Sequence, residues 1–216
     1  MKTRSKALLL SLCAVLLVAA SVLGTMAYLT DSEAVTNTFT VGQVHLTLDE
    51  ADVKPDGTKD GDERVQENTY HLIPGRTYIK DPTIYVSDDS EDCYLFVKVE
   101  NGIAAIETKE TGKTIADQMT ELNWVKVDGV NDLYVLVNGS ENPYAVSKGA
   151  NVVVFENFTI DGDKVVNVPD GETVPEGKVD LSAYASATVK VTAYAVQAAG
   201  FENQTPKQIW ESTFGK

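Results

Sequence analysis

Hydrolytic chemistry needs a nucleophile beside a base, or a metal held by imidazole, thiolate or carboxylate. Histidine occurs twice, at His45 and His71, on two expected strands. No His-Glu-x-x-His helix brings two imidazoles to one face, and neither histidine sits in a Ser-His-Asp or Cys-His context. The ordinary reading of each is a solvent-facing or hydrogen-bonded strand histidine. Gly75, Gly102 and Gly112 stand alone, so no phosphate loop is expected. Carboxylates are plentiful in two runs, Asp56–Glu63 and Asp88–Asp92. Their hard oxygens suit calcium, although the first run breaks the EF-hand spacing. Asp88, Asp89, Glu91 and Asp92 are the calcium candidates, set against the plainer reading of a solvated acidic turn. No catalytic residue, resident metal or cofactor is expected, and the chain reads as a non-enzyme.

The chemistry the sequence does offer is done to it. Lys2, Arg4 and Lys6 precede an uncharged run, Ala7–Thr30, rich in Leu, Val and Ala. Thr25-Met26-Ala27 supplies an A-x-A-like site before Tyr28. This is the build of a secretory signal peptide, residues 1–27, whose removal frees Tyr28 as an amino end outside the cytoplasm. Membrane contact is expected only before that cut. The rival is an uncleaved anchor, since about 20 apolar residues span a bilayer. Its far end speaks against this: Ser, Gly and Thr are followed by Asp31 and Glu33 rather than by a basic stop.

Residues 28–216 are enough for one domain with a real core. All 32 acidic residues and 15 of the 18 basic ones lie beyond Ala27, giving the processed chain a net charge of −17. Such a surface repels phosphate backbones, which excludes nucleic acid as a partner. Cys93 is the one cysteine beyond the signal, so an intrachain disulfide is excluded and the domain depends on its core.

The elements that position these residues read as strands. Val35, Asn37, Phe39 and Val41 share one parity, suiting an extended N-terminal segment, residues 28–40, ahead of a domain at 41–216. Val41–Asp49 alternates, with Val44, Leu46 and Leu48 on one face and Gln43, His45, Thr47 and Asp49 on the other. Glu50–Asn68 reads as a charged surface loop. Thr69–Ile73, Thr77–Lys80, Thr83–Ser87 and Cys93–Glu100 read as strands, the last with Cys93, Leu95, Val97 and Val99 inward. Ile103–Glu107 reads as a short strand. Thr114 caps an expected helix whose stripe is Ile115, Met119 and Leu122. Trp124–Val127 with Leu133–Val137, and Asn151–Ile160 with Lys164–Val168, read as hairpins. Ala187–Gln197 is a long strand, and Thr205–Ser212 a helical turn or two anchored by Trp210. The sum is an all-β antiparallel sandwich with one or two short helices.

Four stretches carry a resemblance to the TasA/camelysin family of Firmicutes. The head, Lys6-Ala-Leu-Leu-Leu through Gly24-Thr-Met-Ala-Tyr-Leu-Thr-Asp31, resembles signals cut by the SipW-type signal peptidase. Asn37-Thr-Phe-Thr-Val-Gly-Gln-Val-His-Leu46 resembles the family's Phe-x-x-Gly-x-apolar-x-apolar strand. Ile73-Pro-Gly75, Lys80-Asp-Pro82 and Cys93-Tyr-Leu-Phe-Val-Lys98 resemble its core, and Ala193-Tyr-Ala-Val-Gln-Ala198 with Trp210 resembles its closing strand.

The resemblance implies a jelly-roll sandwich secreted into the extracellular or biofilm matrix, or held at the cell surface. It implies fibres in which the N-terminal strand of one subunit enters the next. Cleavage would then involve Thr25, Ala27 and Tyr28, and the donor-strand plugs would be Leu29, Val35 and Phe39. Its partners would be other copies of the chain, the SipW-type signal peptidase during export, and other matrix proteins. A monomeric adhesion module is the alternative. The metallopeptidase activity described for camelysin-like relatives finds no zinc-ligand pair here.

Overall fold

A computed structural model describes residues 6, 11–18, 43–110, 112–139, 142–169 and 171–215. The chain divides into two units, Met1–Val41 and Gly42–Lys216. In the first, residues 11–18 are helical (α1) and expose Leu12, Val15, Leu16, Leu17 and Val18. Among the described residues no helix is long and apolar enough to cross a membrane.

The second unit is all-β. Its strands in chain order are β1 (Leu46–Val53), β2 (Lys59–Val65), β3 (Thr77–Ile79), β4 (Thr83–Val86), β5 (Cys93–Asn101), β6 (Trp124–Lys126), β7 (Leu133–Leu136), β8 (Ala145–Val146), β9 (Asn151–Val153), β10 (Asn157–Thr159), β11 (Val165–Val166), β12 (Val179–Asp180) and β13 (Val189–Gln197). Two antiparallel sheets dominate. One has the order β2-β1-β4-β9; the other has the order β13-β5-β7-β6, with β8 also on β5. β3 pairs with β10, and β11 with β12 makes a small parallel ladder.

β5 shows why the sheets stack. Cys93, Leu95, Val97 and Val99 join Ile84 and Val86 of β4 in one core cluster. Tyr94 and Phe96 point the other way, into a second cluster with Leu133, Val135 and Ile209. A strand covered on both faces reads as a continuous apolar run. Cys93 is fully buried, and burial, with the Asp92 carboxylate adding, pushes its thiol up to about 11. It is a packing residue, not a reactive thiol. The second cluster is closed by α3 (Pro206–Thr213), which begins with a Thr205/Gln208 capping box and lays Trp210 edge-on to Tyr194.

Helix α2 (Ile115–Glu121) starts as expected, the Thr114 hydroxyl accepting from the Asp117 N–H at 3.0 Å. Its Gln118 then decides a strand break. The Gln118 carbonyl accepts from the N–H groups of Glu156 and Asn157, and its amide donates to Asn157 O at 2.9 Å. The expected strand Asn151–Ile160 is therefore two, β9 on β4 and β10 on β3. Nor does Lys164–Val168 return as a hairpin partner; Val165 and Val166 pair in parallel with β12.

Three other expectations are corrected. Glu50–Asn68 is not a loop: Glu50–Val53 continues β1, and Lys59–Val65 returns as β2. Its charges find partners, Arg64 bonding Asp49 at 2.5 Å and Asp81 at 3.0 Å, so the charged run becomes cross-strand pairing. The turn uses Gly57 at φ +79, where a Cβ would stand 2.4 Å from the Tyr78 ring. Thr69–Ile73 forms no ladder, because the Tyr78 hydroxyl accepts from Ile73 N–H and donates to His71 O. Ile103–Glu107 is a series of turns ending in one bridge, Glu107 to Ile160. The buried Glu107 carboxylate accepts from Ile115 N–H and the Asn101 amide, and burial holds its carboxyl above the ordinary glutamate value.

Candidate functional site

The sheets end in edges of unequal protection. β2 is guarded by Lys59, Asp60, Asp62, Glu63 and Arg64 and by a bulge in its partner. β6 and β9 are three residues each. β13 is nine residues long with one formal charge, Lys190, and among the described residues only β5 pairs with it.

Hydrogen bonding in an antiparallel ladder alternates, which fixes what the open edge presents. Gly102 N–H donates to Thr188 O, and Ala198 N–H to Asp92 O. Even-numbered positions of β13 thus bond to β5. The N–H and C=O groups of Val189, Val191, Ala193 and Ala195 face away from it, while their side chains pack half-buried on the core. The same argument applies to β1. Ser87 N–H donates to His45 O, so Leu46 and Leu48 turn their backbone groups away from β4, and β2 does not pair until Glu50.

Between these two edges runs a groove of about 1290 Å³, lined by Leu46, Leu48, Val189, Val191, Ala193 and Phe158 and flanked by segments 66–72 and 180–188. It exceeds the roughly 300–1,000 Å³ of a small-molecule site. β1 and β13 approach within 8 Å between Cα atoms. Two ladder spacings would need about 9.5 Å. At that point there is no room for a full strand between them, so an added strand must lie along the part of the β13 edge that β1 does not approach. Alanine at position 193 gives the groove wall a short side chain there.

The groove also has a polar corner. Lys80 Nζ lies 2.5 Å from Glu50 Oε2, and the residues are 9% and 5% exposed. The Tyr70 ring centroid is 6.0 Å from that nitrogen. Burial, then the Glu50 charge, holds the Tyr70 hydroxyl well above the ordinary tyrosine range. The sequence carried a signal for this corner: Glu50 shares the inward parity of Val44, Leu46 and Leu48, and Lys80 that of Tyr78. An acid and a base on apolar registers call for each other.

The residues singled out from sequence are scattered. Thr25, Ala27, Tyr28, Leu29, Val35 and Phe39 lie outside the described residues. Asp88, Asp89, Glu91 and Asp92 are exposed between β4 and β5. The Ser87 hydroxyl, then His45 with its Nδ1 3.5 Å away, holds the Asp89 carboxyl below its usual range. Among the described residues no three His, Cys, Asp or Glu side chains gather to hold a metal ion. His71 is exposed at the groove rim. No family model, curated protein or solved structure matches this chain.

Proposed function

We propose that the chain is a secreted structural protein that polymerises head to tail. In this reading segment 28–40 of one copy enters the groove between β1 and β13 of the next as an added strand, completing a jelly-roll-like sandwich. The observation that carries this reading is β13, nine residues long with one formal charge and, among the described residues, paired on one side only, with its other side toward a largely apolar groove. A donated strand would satisfy the outward N–H and C=O groups, as in strand-addition complexes. Thirteen residues at about 3.3 Å each reach some 40 Å, enough to cover the roughly 20 Å from Val189 to Ala195. Leu29, Val35 and Phe39 share one parity and can all point inward.

The acceptor groove is placed in a second copy rather than in the donor's own chain. Gln43 O accepts from Glu91 N–H, and His45 N–H donates to Ser90 Oγ, so residues 43–45 prolong the line of β1. Because a head-to-tail contact does not close on itself, it makes a filament. In this reading the chain is not an enzyme, and its partners are itself, the SipW-type signal peptidase and other matrix proteins.

Electron microscopy of chains starting at Tyr28 and at Val41 tests the proposal. Filaments are expected from the first alone, and filaments from the second would refute strand donation. Charge gives a second expectation. Subunits of −17 repel, so light scattering from the Tyr28 chain should rise as salt is added or as carboxylates are neutralised by acid. Scattering that is flat over both ranges contradicts it.

A further inference from the structure

Lysine is almost never fully buried without a partner, and Lys80 has two groups arranged around it. Glu50 Oε2 accepts from Lys80 Nζ at 2.5 Å. The other oxygen of the same carboxylate accepts from Asn68 Nδ2 at 2.9 Å. Asn68 Nδ2 also donates to Ala51 O at 2.9 Å, while Asn68 Oδ1 accepts from Val53 N–H at 3.0 Å. One carboxylate therefore bridges an amine and a carboxamide whose carbonyl is already polarised by a backbone donor. Aromatic rings wall the corner: Tyr70 packs edge-on to Tyr78 at 5.9 Å and to Phe158 at 5.2 Å.

We propose that Lys80 and Asn68 become joined by an intramolecular isopeptide bond, with Glu50 carrying the protons. The Lys80 ammonium passes one proton to Glu50, leaving a neutral amine. Its lone pair attacks Asn68 Cγ and forms the new C–N bond. Charge that develops on Oδ1 meets the Val53 N–H, a preset donor of the oxyanion-hole kind. Glu50 hands its proton to Asn68 Nδ2 and takes a second from Nζ. The Cγ–Nδ2 bond breaks, and its electron pair leaves with nitrogen as ammonia. That ammonia accepts the second proton from Glu50 and departs as ammonium, so Glu50 ends as the carboxylate it began as. No oxidant or second substrate is needed.

The energetics run the same way. A buried ion pair repays its desolvation poorly, whereas an amide in the same place carries no charge. The bond would close a ring from Asn68 to Lys80 and pin segment 66–72 to the end of β3 beside the groove. It stands independently of strand donation.

Intact-mass measurement and a tryptic map of the processed protein decide the matter. The expected mass is one ammonia short of the sequence. The peptide Val65–Arg76 is expected to stay linked, through Lys80, to the peptide beginning at Thr77, with no cleavage after Lys80. Glu50→Gln, which keeps the hydrogen-bonding shape but cannot shuttle protons, should give the full mass and separate peptides, as should Lys80→Arg. Wild-type protein of full mass that is cut after Lys80 would overturn the proposal, whether or not the variants fold. So would an ammonia loss without the linked peptides, or a linked Glu50→Gln chain.

Discussion

Proline at position 191 will stop filament growth while leaving a folded monomer. The N–H of Val191 faces away from β5, so its removal costs no bond among the described residues. Proline is tolerated on a strand edge in that orientation. For an incoming strand the loss is double: one backbone bond worth about 0.5–1.5 kcal/mol disappears, and the ring blocks close approach. Since about 1.4 kcal/mol is tenfold in affinity, the lost bond alone weakens each contact by roughly 2- to 12-fold, and the steric block adds to it, so the polymer present at a fixed concentration should fall sharply. A synthetic Tyr28–Thr40 peptide should bind the Val41-start monomer and lose affinity for its Val191→Pro form by at least the lower of those factors. The neighbour supplies the control. Thr192 bonds to β5, so Thr192→Pro should damage the fold itself, seen as a lowered melting temperature. Normal filaments from a folded Val191→Pro chain would exclude β13 as the acceptor.

Period-two alternation turned Leu46 and Leu48 of β1, and Val189, Val191, Ala193 and Ala195 of β13, toward the core, but it stopped β1 short at Asp49 and missed that Tyr94 and Phe96 bury the second face of β5. Thr114 and Asp117 announced α2 through local capping chemistry alone. Failures came where a distant side chain took over backbone groups. Gln118 cuts the run Asn151–Ile160 from 39 residues away, and the Tyr78 hydroxyl occupies the amide and carbonyl that Thr69–Ile73 would have offered a ladder. The charged run after Glu50 looked solvated because Arg64, Asp49 and Asp81 neutralise one another only once β1 and β2 are paired. The groove was illegible for a related reason. Sequence can say that β13 is long and apolar on one face, but not that among the described residues only β5 pairs with it, since that depends on strand order.

Trp124→Ala is expected to cost about 3–5 kcal/mol of stability, the range for truncating a buried aromatic. The indole is 1% exposed and does two things at once. It fills the core between the sheets, and its Nε1–H donates to Val153 O at 3.0 Å. Trp124 belongs to β6 and Val153 to β9, each the outer strand of a different sheet. That bond joins the two sheets at the margin opposite the one where β1, β13 and the groove lie. Trp124→Phe separates the two roles: it keeps most of the volume but strands the Val153 carbonyl, at about 1–3 kcal/mol. Urea midpoints should therefore fall in the order wild type, Trp124→Phe, Trp124→Ala, with unchanged slopes if each unfolds in one step. A loss below about 1 kcal/mol for Trp124→Ala would mean the joint lies elsewhere. If it lies at Trp124, loosening that margin lets the two groove walls drift, and both variants should bind the Tyr28–Thr40 peptide more weakly than wild type even where they remain folded.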